Sequence, residues 1–152
     1  MDLDRTDYDL LRLLQKDARL SNKQLAAEVG LAASTCHERV RRLWSIGAIT
    51  GSHVDVDARR LGFGIAALFM LGISRHEQDT IDTLFDELLA IPEVQSAYLI
   101  TGRYDLVVNV IARDMDHLRE IAYEHFTRRD IIARFETSIV YEGREHPGLP
   151  LP

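Results

Sequence analysis

SNKQLAAEVGLAASTCHERVRRL, residues 21–43, holds two helices and the bend between them. Ser21-Asn-Lys-Gln24 has the form of a capping box, in which a serine oxygen and a glutamine side chain satisfy the first free N–H groups of a helix. Leu25 and Val29 follow on one face, and Gly30 is placed to stop the helix. A second helix is predicted from about Ala33 to Ile46, with Cys36, Val40 and Leu43 on one stripe and Gly47 after it. A short helix, a tight connection and another helix describe a helix-turn-helix. At about 100° per residue, Ser34, Glu38, Arg41, Arg42 and Ser45 point away from the apolar stripe, with Thr35 and His37 on the flanks. Small hydrogen-bonding groups at the N-terminal end, with arginines further on, suit a helix that meets base edges and grips phosphates. The candidate DNA-contacting residues are Ser34, Thr35, His37, Glu38, Arg39, Arg41 and Arg42. The plain alternative is a solvated helix face, which usually mixes lysine with glutamate.

Upstream, Thr6-Asp-Tyr-Asp9 resembles a capping box, and Leu10, Leu11, Leu14 and Ala18 recur at helical spacing. None of the three helices is long enough to stand alone, so they must share a core. Downstream of Ile49 the period changes. Ser52–Asp57 alternates polar residues with Val54 and Val56, which predicts a short strand, and Ala58–Gly62 reads as a linker. Phe63–Ser74 reads as a strand, and Ile81, Leu84, Phe85, Leu88 and Leu89 form a helix stripe stopped by Pro92. Val94–Thr101 and Tyr104–Ala112 read as strands joined by a hairpin-length turn at Gly102-Arg103. Met115, Leu118, Ile121 and Ala122 mark another helix, and Ala133–Tyr141 a last strand. The order βαββαβ is that of a ferredoxin-like unit. The fold class is therefore α+β, with an antiparallel four-stranded sheet and both helices on one face. The expected domains are residues 1–50 (helix-turn-helix), 51–62 (strand and linker), 63–143 (βαββαβ) and 144–152, a flexible tail that carries much of the chain's proline.

The strands carry a second message. Ile65, Ala67, Phe69, Leu71 and Ile73 face one side, yet Ala66, Leu68 and Met70 on the other side are apolar too. The strand over 104–112 repeats this, with Leu106, Val108 and Val110 opposite Val107 and Ile111. Two helices cover only one face, and a solvated second face would alternate with polar residues. The simplest cover is the same sheet of a second copy about a two-fold axis, so a homodimer is expected.

The net charge of −6 conceals an asymmetry: residues 1–60 carry ten Lys/Arg against nine Asp/Glu, and the remainder eight against fifteen. Only the first part can approach a polyanion without strong repulsion. The longest apolar stretch, Phe63–Ile73, falls short of the ~20 residues of a membrane span, and a single cysteine, Cys36, fits a reducing compartment. A soluble cytoplasmic protein is expected. There is no glycine-rich nucleotide loop, no C-x-x-C and no histidine pair at metal spacing; the six histidines are scattered and read as surface groups, and Cys36 as core. Nothing supplies a nucleophile–base pair, so no enzyme, cofactor or metal is expected. Thr101-Gly-Arg-Tyr-Asp105 reads first as a hairpin turn. Its exposed backbone N–H groups could also hold a carboxylate, with Asp105 balancing an ammonium.

Taken together, Leu3-Asp-Arg-Thr-Asp7, Leu14-Gln-Lys-Asp-Ala-Arg-Leu-Ser21, Leu25-Ala-Ala-Glu-Val-Gly-Leu31, Ser34-Thr-Cys-His-Glu-Arg-Val-Arg-Arg-Leu43, Gly47-Ala-Ile49, Thr101-Gly-Arg-Tyr-Asp-Leu106 and Thr137-Ser-Ile-Val140 resemble the Lrp/AsnC, or feast/famine, transcriptional regulators over residues 2–143. The resemblance implies an N-terminal winged-type helix-turn-helix and a βαββαβ effector domain. It also implies homodimers that assemble to tetramers or octamers, and an effector, typically an amino acid, bound between dimers near the Gly-x-Tyr-Asp turn. The implied effector residues are Thr101, Gly102, Arg103, Tyr104, Asp105, Thr137 and Ser138. Two departures stand out. Ala32-Ala33 replaces the frequent Ser-Pro before the recognition helix, and Arg128-Arg-Asp-Ile-Ile-Ala133 replaces the usual Pro-Gly turn before the last strand. The reading is a sequence-specific regulator that binds double-stranded DNA and answers to a small effector. The alternatives are an amino-acid-binding regulatory module of an enzyme and an architectural DNA-binding protein without an effector.

Overall fold

Asp4 opens the first helix, α1 (Arg5–Lys16), by accepting from the Asp7 amide at 2.9 Å while Asp7 accepts from the Asp4 amide at 3.2 Å. This capping box stands two residues ahead of the Thr6–Asp9 box read from the sequence. A carboxylate is a strong acceptor at a helix N-terminus, where the helix dipole favours negative charge. The Ser21–Gln24 box opens α2 (Asn22–Val29) as expected, and Gly30 ends it at φ +70°, a conformation open to glycine at no steric cost. The third helix, α3 (Ala33–Ser45), starts after Ala32 with no side-chain cap. Leu10, Leu25, Cys36 and Leu43 are sealed between the three helices, with Leu3, Leu14, Val29 and Val40 around them.

The computed structural model describes residues 2–74, 77–144, 146 and 148–152; His76, read above as a surface group, lies outside the described residues. They form two units. One holds the three helices up to Asp55 together with the residues from Arg144 onward, and the other spans Val56–Gly143. The last residues, expected as a loose tail, run back to the helices: Leu151 packs against their core and the Leu149 amide donates to Gln15. The strand expected at 52–57 is not formed. Its residues are irregular, and Val54 and Val56 are exposed. A strand needs a neighbour for its N–H and C=O groups, and among the described residues no other strand pairs with it. Ala58–Leu61, read as linker, is a 3-10 turn capped by Asp57.

The second unit runs β1 (Ile65–Ile73), α4 (Gln78–Leu89), β2 (Val94–Leu99), β3 (Leu106–Ala112), α5 (Met115–Ala122) and β4 (Ile132–Ile139), with a π-helical turn at Tyr123–Thr127. The sheet order is β2-β3-β1-β4, with antiparallel pairing throughout. This is the ferredoxin-like arrangement expected. Ala67, Phe69, Leu71, Leu106, Val108 and Val110 meet Ile81, Leu84 and Leu88 of α4 and Leu118 and Ile121 of α5 in one core. Phe69 stands edge-on to Phe126 at 4.8 Å and to Phe135 at 4.9 Å. Each such pair adds about 1 kcal/mol beyond the area it buries. On the other face Ala66, Leu68, Met70, Val107 and Ile111 remain partly exposed and lie outside the core of the unit. The turn between β2 and β3 is longer than two residues: the Ile100 amide donates to the Asp105 carbonyl at 2.8 Å, closing a loop over 101–104 with Gly102 at φ +123°. No helix is long and apolar enough to cross a membrane among the described residues.

Candidate functional site

In the helical unit, Ser34, Thr35, His37, Glu38, Arg41 and Arg42 of α3 are all exposed, and Arg39 is half-buried. The structure then divides the arginines that the sequence grouped together. Asp7 of α1, 1% exposed, accepts from Arg39 at 2.9 Å and from Arg42 at 3.0 Å. Arg39 also binds Asp4 at 2.7 Å, and Arg42 donates to the Asp2 carbonyl at 2.9 Å. A charge buried this deeply requires such partners. Arg39 and Arg42 therefore fasten α3 to α1, a structural task beside the DNA contact expected of them. Arg41 has no carboxylate partner among the described residues and is exposed. The hydrogen bond from the Asp7 amide, followed by that from Arg39, holds the Asp4 carboxyl below the usual carboxylate range. The sequence did carry a signal for Asp7. It stands on the stripe of Leu3, Leu10, Leu11 and Leu14, where an acid needs a cation facing it.

His37 is fixed from the helix before it. Its Nδ1 lies 2.8 Å from the side-chain nitrogen of Asn22, the first residue of α2. With the Asn22 amide nitrogen as donor, Nδ1 is the acceptor of this contact. Cys36, beside it in sequence, is fully buried, and burial pushes its thiol up; it is core, as expected.

In the sheet unit, Thr101, Gly102 and Arg103 are exposed at the tip of the β2–β3 turn and Tyr104 is buried behind them. The Asp105 carboxylate accepts from the Ile73 amide at 2.8 Å, and its own amide donates to the Leu71 carbonyl. Asp105 thus ties the turn to β1, a structural task that the ammonium-balancing role read from sequence did not include. Thr137 and Ser138 fall on opposite faces of β4. Thr137 pairs with Phe69 on the helix side, and Ser138 pairs with Leu68 on the uncovered side. Only Ser138 can share a face with the turn, because consecutive strand residues alternate.

The side chains that do meet the turn are ones the sequence reading omitted. The Tyr104 hydroxyl donates to Glu136, and Arg134 and Arg103 lie over the Tyr104 ring at 5.7 and 5.4 Å. The Glu136 carboxylate pushes the tyrosine hydroxyl above its usual range, so it stays a donor. Only cross-strand register brings 134 and 136 to the turn, and register is not written in local spacing. A broad, open hollow lies elsewhere in the unit, along Asp114, the N-cap of α5, and Asp116, His117 and Arg119 within it, where Arg119 is already paired with Asp116 at 3.0 Å. Among the described residues no group of His, Cys, Asp and Glu is arranged to hold a metal.

Comparison with known proteins agrees with both halves. Residues 3–50 match a winged helix-turn-helix DNA-binding model, and residues 66–147 match the Lrp/AsnC ligand binding domain. The chain is 36% identical to the HTH-type transcriptional regulator AldR of Mycolicibacterium smegmatis, over 93% of this chain and 82% of that protein. It superposes on the structure of Escherichia coli AsnC with a TM-score of 0.84 at 26% identity, covering 97% of this chain and 100% of the other. A transcriptional regulator of Neisseria meningitidis, solved as its L-Met complex, has the same fold at a TM-score of 0.87 and 24% identity, covering 95% of this chain and 94% of that one. Two matched domains in the expected order, with relatives that are DNA-binding regulators and not enzymes, leave one assignment: this chain belongs to the Lrp/AsnC family of transcriptional regulators.

Proposed function

We propose that the protein binds specific double-stranded DNA through the exposed face of α3, works as a homodimer that assembles further to a tetramer or octamer, and changes its DNA affinity when a small effector, an amino acid, occupies the β2–β3 turn. The observation that carries the DNA reading is the division of the arginines. With Arg39 and Arg42 turned to Asp7, the outward face of α3 offers Ser34, Thr35, His37 and Glu38 toward base edges and Arg41 toward a phosphate. Thr101, Gly102, Arg103, Tyr104 and Ser138 form the effector side. The uncovered apolar sheet face supports the dimer, because a second copy presents the same surface about a two-fold axis. The amino-acid class follows the family and the L-Met complex of the Neisseria protein.

The test is a DNA-binding titration across a salt series. Arg41→Ala should weaken binding to all sequences and lower the salt slope by ~0.9, the value for one lost phosphate contact. Arg39→Ala should leave the slope unchanged. Gly102→Val places a side chain at φ +123° and should abolish any amino-acid effect on the titration while keeping basal DNA binding. An unaltered slope for Arg41→Ala removes α3 from the DNA.

A further inference from the structure

The chain leaves the helical unit at Asp55 and returns to it at Arg144, so the whole sheet unit is inserted between two segments of one helical unit. The returning segment is docked. Leu151 packs against the core that holds Leu10, Leu11, Leu25 and Leu43. Arg12 of α1 donates to the Pro152 carbonyl, and the Leu149 amide donates to the side chain of Gln15, three residues further along the same helix. Gly148 passes so close that a Cβ there would stand 2.5 Å from Gln15 Oε1. The sequence prepares this segment to dock. In Gly148-Leu-Pro-Leu-Pro152 each proline fixes its own φ at about −65° and keeps the leucine before it extended. The segment is therefore stiff beforehand and gives up little freedom on docking. The helical unit in turn is small, and a small core gains from one more leucine.

We propose that residues 148–152 act as a strap that docks on α1 of its own chain and gives the DNA-binding helices a second covalent tie to the sheet unit, by way of β4. The other tie begins with residues 52–57, which are irregular and exposed. A single irregular tie leaves the helices free to swing, and a second confines them. In a dimer on DNA, confinement raises the effective concentration of the second recognition helix at its half-site. The proposal rests on the reading of the protein as a DNA-binding homodimer.

Gln15→Cys combined with Gly148→Cys tests the docking in the full chain. A Cβ at 148 lies 3.4 Å from the Gln15 Cβ, at the short end of the ~3.5–4.5 Å that a disulfide spans, and Cys36 is fully buried and does not compete. Oxidation should give a disulfide within one chain, seen on a non-reducing gel and by peptide mapping. Free thiols or covalent dimers overturn the strap. Its effect on binding is read on a duplex with two half-sites, selected from a random library by the parent chain, and on a duplex carrying one of them. Leu151→Asp, or removal of residues 144–152, should weaken binding to the two-site duplex about threefold or more and leave the one-site duplex within about twofold. The oxidised cysteine pair should bind the two-site duplex at least as tightly as the parent. Circular dichroism at the assay temperature shows that the helices of each variant are folded. If both duplexes weaken equally, or neither does, the proposal falls while DNA binding stands. If the parent chain selects no duplex, the DNA reading falls, and the disulfide still decides whether the strap is docked.

Discussion

Asp7 illustrates how one residue can look like a surface helix cap and yet organise a domain. Its carboxylate accepts from the Asp4 amide, from Arg39 and from Arg42, and it is the described polar residue most completely shielded from water. Asp7→Ala would leave two arginines without their shared partner. Because those arginines are 30% and 46% exposed, water compensates in part, and the expected cost is ~2–3 kcal/mol in a denaturant titration. The freed cations should also raise affinity for random DNA and narrow the gap between specific and non-specific sites. A loss below about 0.5 kcal/mol would show that the network is ornamental. Asp4, at the rim, gives a pH dependence. Its folded-state value is lowered, so its contribution is present above the ordinary carboxylate pKa and is lost as pH falls through the lower folded value. Acid titration below about pH 4 should loosen α1 from α3, seen as a drop in helical circular dichroism, and Asp4→Asn should flatten that drop. An identical acid profile in the variant would remove Asp4 from the account.

At the level of elements, α3 is the helix left without a cap: Ala32 offers no oxygen to its first N–H groups, unlike Asp4 and Ser21 for the helices before it. Ala32→Ser should stabilise the helical unit by ~1 kcal/mol, read from its unfolding midpoint, provided the serine meets the second or third N–H of α3. No change in midpoint would mean that solvent already satisfies those groups fully. The strands make a sharper contrast. Val108 and Leu68 both sit mid-strand in an apolar run, but Val108 is wholly buried beneath the helices and Leu68 lies on the uncovered face. Val108→Asp should cost more than about 4 kcal/mol and prevent folding of the sheet unit, because it strands a charge in the core. Leu68→Asp should fold as a single chain and fail to dimerise, which sedimentation would show. If Leu68→Asp remained a dimer, the uncovered face would not be the seam.

For the whole molecule, the division of charge follows the division of labour. The near-neutral helical half can approach DNA, and the acidic half carries the sheet and the turn. Association is the expectation that joins them. A chain leaving Leu68, Met70, Val107 and Ile111 together on one face only partly buried should not persist alone at micromolar concentration. The unformed strand at 52–57 points the same way, since Val54 and Val56 alternate as a strand should and lack only a neighbour.

The sequence by itself determined the element order, the helix-turn-helix, the ferredoxin-like topology and the doubly apolar sheet, because capping boxes, stop glycines and the periods of 3.6 and 2 are local signals. It also showed which stretch of α3 faces outward and which turn exposes its backbone. It did not show that Arg39 and Arg42 belong to Asp7, that Thr137 and Ser138 part to opposite faces, or that Arg134 and Glu136 stand beside Tyr104. Those facts depend on pairing between residues about thirty to seventy positions apart. Helix docking and strand register decide such pairings, and both are settled by the packing of the whole core, where a shift of one residue would reverse every face.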